Sequence, residues 1–150
     1  MHYLLLAVTV ALVGCIDTFE PETGPLLVSP CENVDSNPDV EVSFRVDIKE
    51  GILERPEINC VRCHTPGGET PIGLEATGFD VSNRTTLLRG GSNTGTGIVI
   101  PGQPCESILV QKVGPAPPLG SRMPLAGPPF LSDLDQQLVR DWIAEGARDN

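Results

Sequence analysis

Cys60-Val61-Arg62-Cys63-His64 is the stretch on which the reading of this chain turns. Two thiols separated by two residues, with an imidazole directly after the second, form the C-x-x-C-H pattern of covalent haem attachment. Each thiol adds to one of the two vinyl groups, and the next residue comes to lie beneath the porphyrin, where its nitrogen can ligate iron. The spacing therefore predicts thioether bonds at Cys60 and Cys63 and a proximal iron ligand at His64. Two other chemistries use such a pair. A structural zinc site closes with a second Cys or His pair, whereas the remaining cysteines, Cys15, Cys31 and Cys105, stand singly. A thioredoxin-like redox pair expects a βαβ context, and here Thr65-Pro66-Gly67-Gly68 follows the motif.

Upstream, Leu4 to Val13 is a short apolar run that ends in Leu12-Val13-Gly14-Cys15. It is too short to span a bilayer and matches a signal-peptide core. Its ending resembles a bacterial lipobox, in which a cysteine after small residues is lipidated and becomes the new N-terminus. Residues 1–14 are thus expected to be a lipoprotein signal and Cys15 the lipidated residue. The n-region Met1-His2-Tyr3 departs from the pattern in carrying no Lys or Arg. Ile16 follows Cys15 where many inner-membrane lipoproteins carry aspartate, which favours the periplasmic side of the outer membrane, or the cell surface.

Charge is spread unevenly. Residues 16–42 hold seven acids, Asp17, Glu20, Glu22, Glu32, Asp35, Asp39 and Glu41, and no bases, out of a net charge of −10 for the whole chain. The same segment holds Pro21, Pro25, Pro30 and Pro38. Proline and uncompensated charge make a poor core and a good extended linker, so residues 15–42 are expected to form an acidic tether and residues 43–150 the domain. No basic stripe exists in either part, which excludes nucleic acid as a partner.

The domain opens at Ser43, a plausible N-cap for a helix whose apolar positions Phe44, Ile48 and Ile52 recur every four residues. The alternation Phe44, Val46, Ile48 suits a short strand as well. Pro56 should end the element just before the motif. From Thr65 to Gly102 the chain is rich in Gly, Thr and Asn, with one short helical candidate from Ser82 through Leu88, stopped by Gly90-Gly91. Gly and Pro make up 31 of the 150 residues, enough to suggest disorder. The clusters Ile98-Val99-Ile100 and Ile108-Leu109-Val110 argue for a packed interior instead, and a chain that is largely loop can be organised by an apolar disc such as haem. The last element is the clearest: Ser132 caps, Asp133 and Asp135 favour the positive end of the helix dipole, and Leu134, Leu138, Trp142 and Ile143 form an apolar stripe ended by Gly146.

With the signal removed, His64 is the only histidine and Met123 the only methionine. Two histidines cannot both ligate iron, and no catalytic dyad or triad can be built on a separate histidine. Met123 lies in a Pro- and Gly-rich loop, Arg122-Met123-Pro124, where a packing role is less natural. A thioether suits iron, and a His–Met pair raises the reduction potential, so Met123 is the expected distal ligand. Cys31 and Cys105 are left over by elimination in an oxidising compartment and are a candidate disulfide closing a loop of some 70 residues.

The succession of Phe44 and Asp47-Ile48, Cys60 to His64, Gly73-Leu74, Leu87-Leu88-Arg89-Gly90-Gly91, Ile98 to Gly102, Ser107-Ile108-Leu109, Arg122-Met123-Pro124, Leu131-Ser132 and Trp142-Ile143 with Gly146-Ala147 resembles the small class I cytochrome c domains of planctomycete and myxobacterial exported proteins. The resemblance covers about residues 43 to 148. It implies an all-α, loop-rich cytochrome c-like fold whose helices pack around one covalent haem c, with Cys60 and Cys63 as thioethers, His64 proximal and Met123 distal. Cytochromes of the c-prime type carry the motif near the C-terminus, whereas 86 residues follow it here. The expected function is single-electron transfer, not enzymatic catalysis, between redox protein partners on the exported side of a membrane. A haem-based module that binds or senses a small gas, and a structural lipoprotein without haem, are the alternatives.

Overall fold

The computed structural model describes residues 31–150. The expected signal, the lipidation at Cys15 and the first half of the acidic segment lie outside the described residues. Within them the chain is helical, with no strand, and no helix is long and apolar enough to cross a membrane. This agrees with an all-α class.

Two helices that are far apart in sequence form the centre. The opening helix, Phe44–Leu53, starts where Ser43 was expected to cap it: the Ser43 hydroxyl accepts from the Val46 N–H at 3.1 Å. It is wound wide, as a π-helix, with Ile48 N–H reaching Ser43 C=O and Glu54 N–H reaching Lys49 C=O. This five-residue spacing opens the turn. The buried face accordingly holds Leu53 as well as Phe44, Ile48 and Ile52, which rules out the alternative of a strand. The helix ends three residues before Pro56, which lacks the N–H needed to continue it.

The last helix, α5, spans Asp133–Ala144 and begins with a capping box. The Ser132 hydroxyl receives the Asp135 N–H, and the Asp135 carboxylate receives the Ser132 N–H. It packs on the opening helix through Trp142, whose ring centroid lies 5.4 Å from that of Phe44. The indole N–H donates to Arg148 C=O at 2.9 Å, so the large ring is buried without an unpaired donor. Ile48, Ile52, Val81, Leu87, Val99 and Ile143 surround this pair. Each such side chain contributes roughly 1.5–3 kcal/mol by leaving water.

One member of the expected stripe is displaced. Leu134 is 78% exposed, and the buried residues of α5 are Val139, Asp141, Trp142 and Ile143. Leu134 belongs to the first turn, where it lines a shallow groove with Val40, Val42 and Leu138 instead of meeting the opening helix. Periodicity places residues on one side of a helix but does not say how far along its length the neighbour extends.

Residues 31–42 also differ from expectation: they are a strap bound to the domain rather than part of a free tether. Cys31 and Cys105 are joined as a disulfide with Cα atoms 5.6 Å apart. Asn33 brackets the same place, donating to Glu106 and accepting from the Cys105 N–H, both at 2.8 Å. Ser36 donates to the buried Asp141 carboxylate through its N–H at 2.9 Å and its hydroxyl at 2.7 Å, and the Val42 N–H donates to Glu145. The physical reason is that backbone amides and a hydroxyl of the strap donate to the carboxylates of Asp141 in α5 and Glu145 just after it, and Arg148 pairs with Glu41 at 2.7 Å. Counting its own acidic side chains gives no measure of that. The like charges still leave a trace: burial, together with Asp35 and Glu41, raises the Glu145 carboxyl above its usual range despite the Val42 N–H and Arg148. Asn150 completes the frame, its side chain accepting from the Phe44 N–H at 2.8 Å.

Between these helices lie four short helical segments: α1, Cys60–His64; α2, Ile72–Thr77; α3, Arg84–Arg89; and α4, Ile108–Val113, with a 3-10 turn at Gly95–Ile98. Of these, only α3 was foreseen. It starts at Arg84 rather than Ser82, is capped by Asn83 and stops at Gly90. The buried Ser107 before α4 is satisfied on both sides, accepting from the Ile100 N–H at 2.8 Å and donating to Gln103 C=O at 2.9 Å.

Candidate functional site

The motif residues occupy a single helical segment, α1, which contacts both the opening helix and α2. Asn59 precedes it with φ +44°, a left-handed backbone that Asn tolerates better than most residues. After His64 the chain doubles back on α1: Thr65 caps Val61 C=O through its hydroxyl at 2.7 Å, and the Thr70 N–H reaches Arg62 C=O at 3.2 Å. None of the five residues of α1 is buried, although Cys60 and Val61 rest against the core. The protein thus presents Cys60, Cys63 and His64, all partly accessible, from one turn.

His64 is held on two sides. Its Nδ1 lies 3.1 Å from Phe79 C=O, and since a carbonyl only accepts, Nδ1 carries the hydrogen. In the neutral ring this leaves the lone pair on Nε2, the form that ligates a metal. Burial lowers the imidazole pKa from its ordinary 6.5, more than the Phe79 hydrogen bond raises it, which favours that neutral form at neutral pH. Phe79 also packs edge-on against the ring at 5.3 Å. On the other side stands Gly73 of α2, where a Cβ would lie 2.5 Å from Cε1 and 2.6 Å from Nε2 of His64. Only glycine lets the α2 backbone come this close.

The two cysteines are free in the described structure and not joined to each other. Burial pushes the Cys60 thiol up to about 11, against the lowering effects of its own backbone N–H and of Arg55. No group of three or more His, Cys, Asp or Glu side chains gathers to hold a metal ion among the described residues. A structural zinc site takes four such side chains, whereas a haem iron needs one axial donor from each side and takes its other four from the porphyrin.

Met123 lies in the loop between α4 and α5, half-buried and leaning on the same core as Cys60 and Val61. Its N–H donates to Lys112 C=O at 2.9 Å. Arg122 beside it donates from Nε to Val113 C=O at 2.8 Å, and its guanidinium sits 4.3 Å above the Phe130 ring. Val61, Phe79, Leu88, Ile108, Leu109 and Met123 all remain partly exposed around the core. Leu88, Val99, Ile100 and Pro101 line an open, mainly apolar cavity of about 480 Å³. None of Cys60, Cys63, His64 or Met123 lines that cavity; what suits an iron ligand is the imidazole of His64, whose Nε2 is left free by the carbonyl held on Nδ1.

Of the candidates named from the sequence, the structure sets Cys60, Cys63 and His64 on one turn and Met123 in a separate loop; the backbone groups that hold His64 and Met123 were not foreseen. The Phe79 carbonyl and the Lys112 carbonyl act through the backbone, which any residue type supplies, so no sequence signal marks them. Gly73 entered the sequence reading only within the Gly73-Leu74 pair of the resemblance, because nothing in the sequence marked α2 as a helix. Comparison with family models, with curated proteins and with solved structures finds no match to this chain.

Proposed function

We propose that this chain is a small class I c-type cytochrome with one covalently bound haem, carrying single electrons between redox protein partners on the exported side of a bacterial membrane. The observation that carries the reading is the arrangement of α1: a complete Cys60-x-x-Cys63-His64 turn whose imidazole is held as the Nδ1–H tautomer by Phe79 C=O at 3.1 Å. Haem, when bound, supplies the site that is oxidised and reduced by one electron. Cys60 and Cys63 hold it as thioethers. His64 keeps its orientation in either oxidation state, because Phe79 and Gly73 fix the ring from both sides. Met123 serves as the soft distal donor, favouring the reduced state and leaving no coordination position for a substrate. With Cys15 lipidated, the domain is tethered to the membrane through the strap that ends at Cys31.

Acidified organic solvent tests the reading directly. The haem should stay with the polypeptide, and the reduced protein should show a c-type α-band unchanged by carbon monoxide. Haem in the organic phase removes the covalent assignment. A rapid spectral change with carbon monoxide replaces electron transfer by the gas-binding alternative.

A further inference from the structure

The loop from Gly114 to Leu131 contains six prolines, at 115, 117, 118, 124, 128 and 129. Proline has no N–H, so a loop of this composition has few backbone donors with which to fasten itself. The structure fastens it from outside. Lys112, in the last turn of α4, donates from its ammonium to Leu119 C=O and to Ser121 C=O, the latter at 2.7 Å. The carbonyl of the same residue accepts the Met123 N–H at 2.9 Å. One residue thus grips the loop at three positions, two before Arg122 and one after it, while its neighbour Val113 is buried and anchors α4. Both side-chain contacts are charge-assisted, the stronger class of hydrogen bond.

We propose that Lys112 is the positioning residue for the distal ligand: it does not touch the iron but sets where the Met123 thioether stands. This deepens the haem reading and rests on it. The lysine acts as a brace with two arms, ammonium and carbonyl, tying the Met123 loop to a helix that packs on α5. Without the ammonium, the stretch from Pro115 to Ser121 has no other side-chain hydrogen bond holding it among the described residues. Met123 then keeps only its own N–H contact and those of Arg122.

The test uses the haem-loaded full chain and three proteins: wild type, Lys112→Met, which keeps length and loses every donor, and Lys112→Arg, which can still donate to two carbonyls. In Lys112→Met the weak ferric sulfur-to-iron band should lose at least half its intensity and the midpoint potential should fall. Amide hydrogen exchange between Leu119 and Met123 should quicken about tenfold, while that of α5 stays as in wild type. Lys112→Arg should restore all three readouts. The proposal is overturned if Lys112→Met keeps the full band and wild-type exchange. It is equally overturned if α5 exchange rises together with the loop, since that marks a general loss of stability. A low yield of folded Lys112→Met transfers the same readouts to Lys112→Gln, which is too short to span both carbonyls. If wild type itself carries covalent haem but shows no sulfur-to-iron band, Met123 is not the ligand and the proposal is overturned, while the covalent haem assignment stands. The exchange measurement still decides whether Lys112 holds the loop.

Discussion

The frame and the site of this molecule are built by opposite means. The frame, made of the strap at residues 31–42, the opening helix and α5, is sealed: Ile48, Trp142 and Ile143 are wholly buried and their polar neighbours are paired. The site, made of α1, α2 and the Met123 loop, buries none of the residues of α1 or α2 and is held by single hydrogen bonds to backbone carbonyls. The difference shows where aliphatic packing supplies stability and where shape is kept for something else to complete.

The comparison can be broken most forcefully in the frame. Trp142→Ala should cost about 3–5 kcal/mol, the usual loss for removing a buried aromatic, measured by urea unfolding. A loss below about 1 kcal/mol would mean that the frame is not the stable half. Opening the strap comes next. Replacing Cys31 and Cys105 with serine frees a loop closed across 74 residues, and the chain-entropy model assigns that roughly 4 kcal/mol as an upper value. Thiol counting on the denatured, unreduced protein should first show neither of these cysteines labelled.

In the site the expected effects are smaller in stability and larger in spectroscopy. Gly73→Ala sets a methyl group against the His64 ring, and the overpacking should cost about 1–3 kcal/mol. On the proposed haem reading the clearer sign is a shifted haem spectrum, because the imidazole must turn. An unchanged spectrum with unchanged stability would show that α2 yields easily and does not orient His64.

The smallest effect joins the two regions. Arg55, on the segment leading into α1, donates to Asp135 of α5 at 2.6 Å. Burial would raise the Asp135 carboxyl, but hydrogen bonds from Arg55 and Ser132 outweigh it and hold it below its ordinary 3.8. A carboxyl lowered in the folded state contributes stability above its unfolded pKa and loses it as pH falls through the folded value. Arg55→Met should therefore destabilise by up to about 1 kcal/mol at pH 7, and the gap from wild type should close on acidification below its ordinary value. A gap that stays constant with pH would assign the effect to packing of the arginine stem.

The frame was partly legible in the sequence because capping and periodicity are local. Ser43, Ser132 and the four-residue recurrence of Phe44, Ile48 and Ile52 mark both helices correctly, and Trp142 lies in the core as read. The failures have a common cause. Leu134 satisfies the periodic pattern yet is exposed, and the acidic strap reads as free linker yet is bound, since both depend on which surface lies opposite. Segments of five or six residues such as α1, α2 and α4 are too short to show a period at all.

For the site, the chemistry-bearing side chains are legible by type and spacing: two thiols three positions apart, one histidine, one methionine in a proline-rich loop. That much the amino-acid order determined by itself, because residue types and spacing define the motif; the helical turn that carries Cys60, Cys63 and His64 came from the fold. Which nitrogen of His64 is free, why position 73 must be glycine, and how the methionine loop is fastened were decided only by the tertiary structure. In each case the partner is a backbone carbonyl or a close backbone approach from a distant segment, and every residue offers the same peptide group until folding chooses which one arrives.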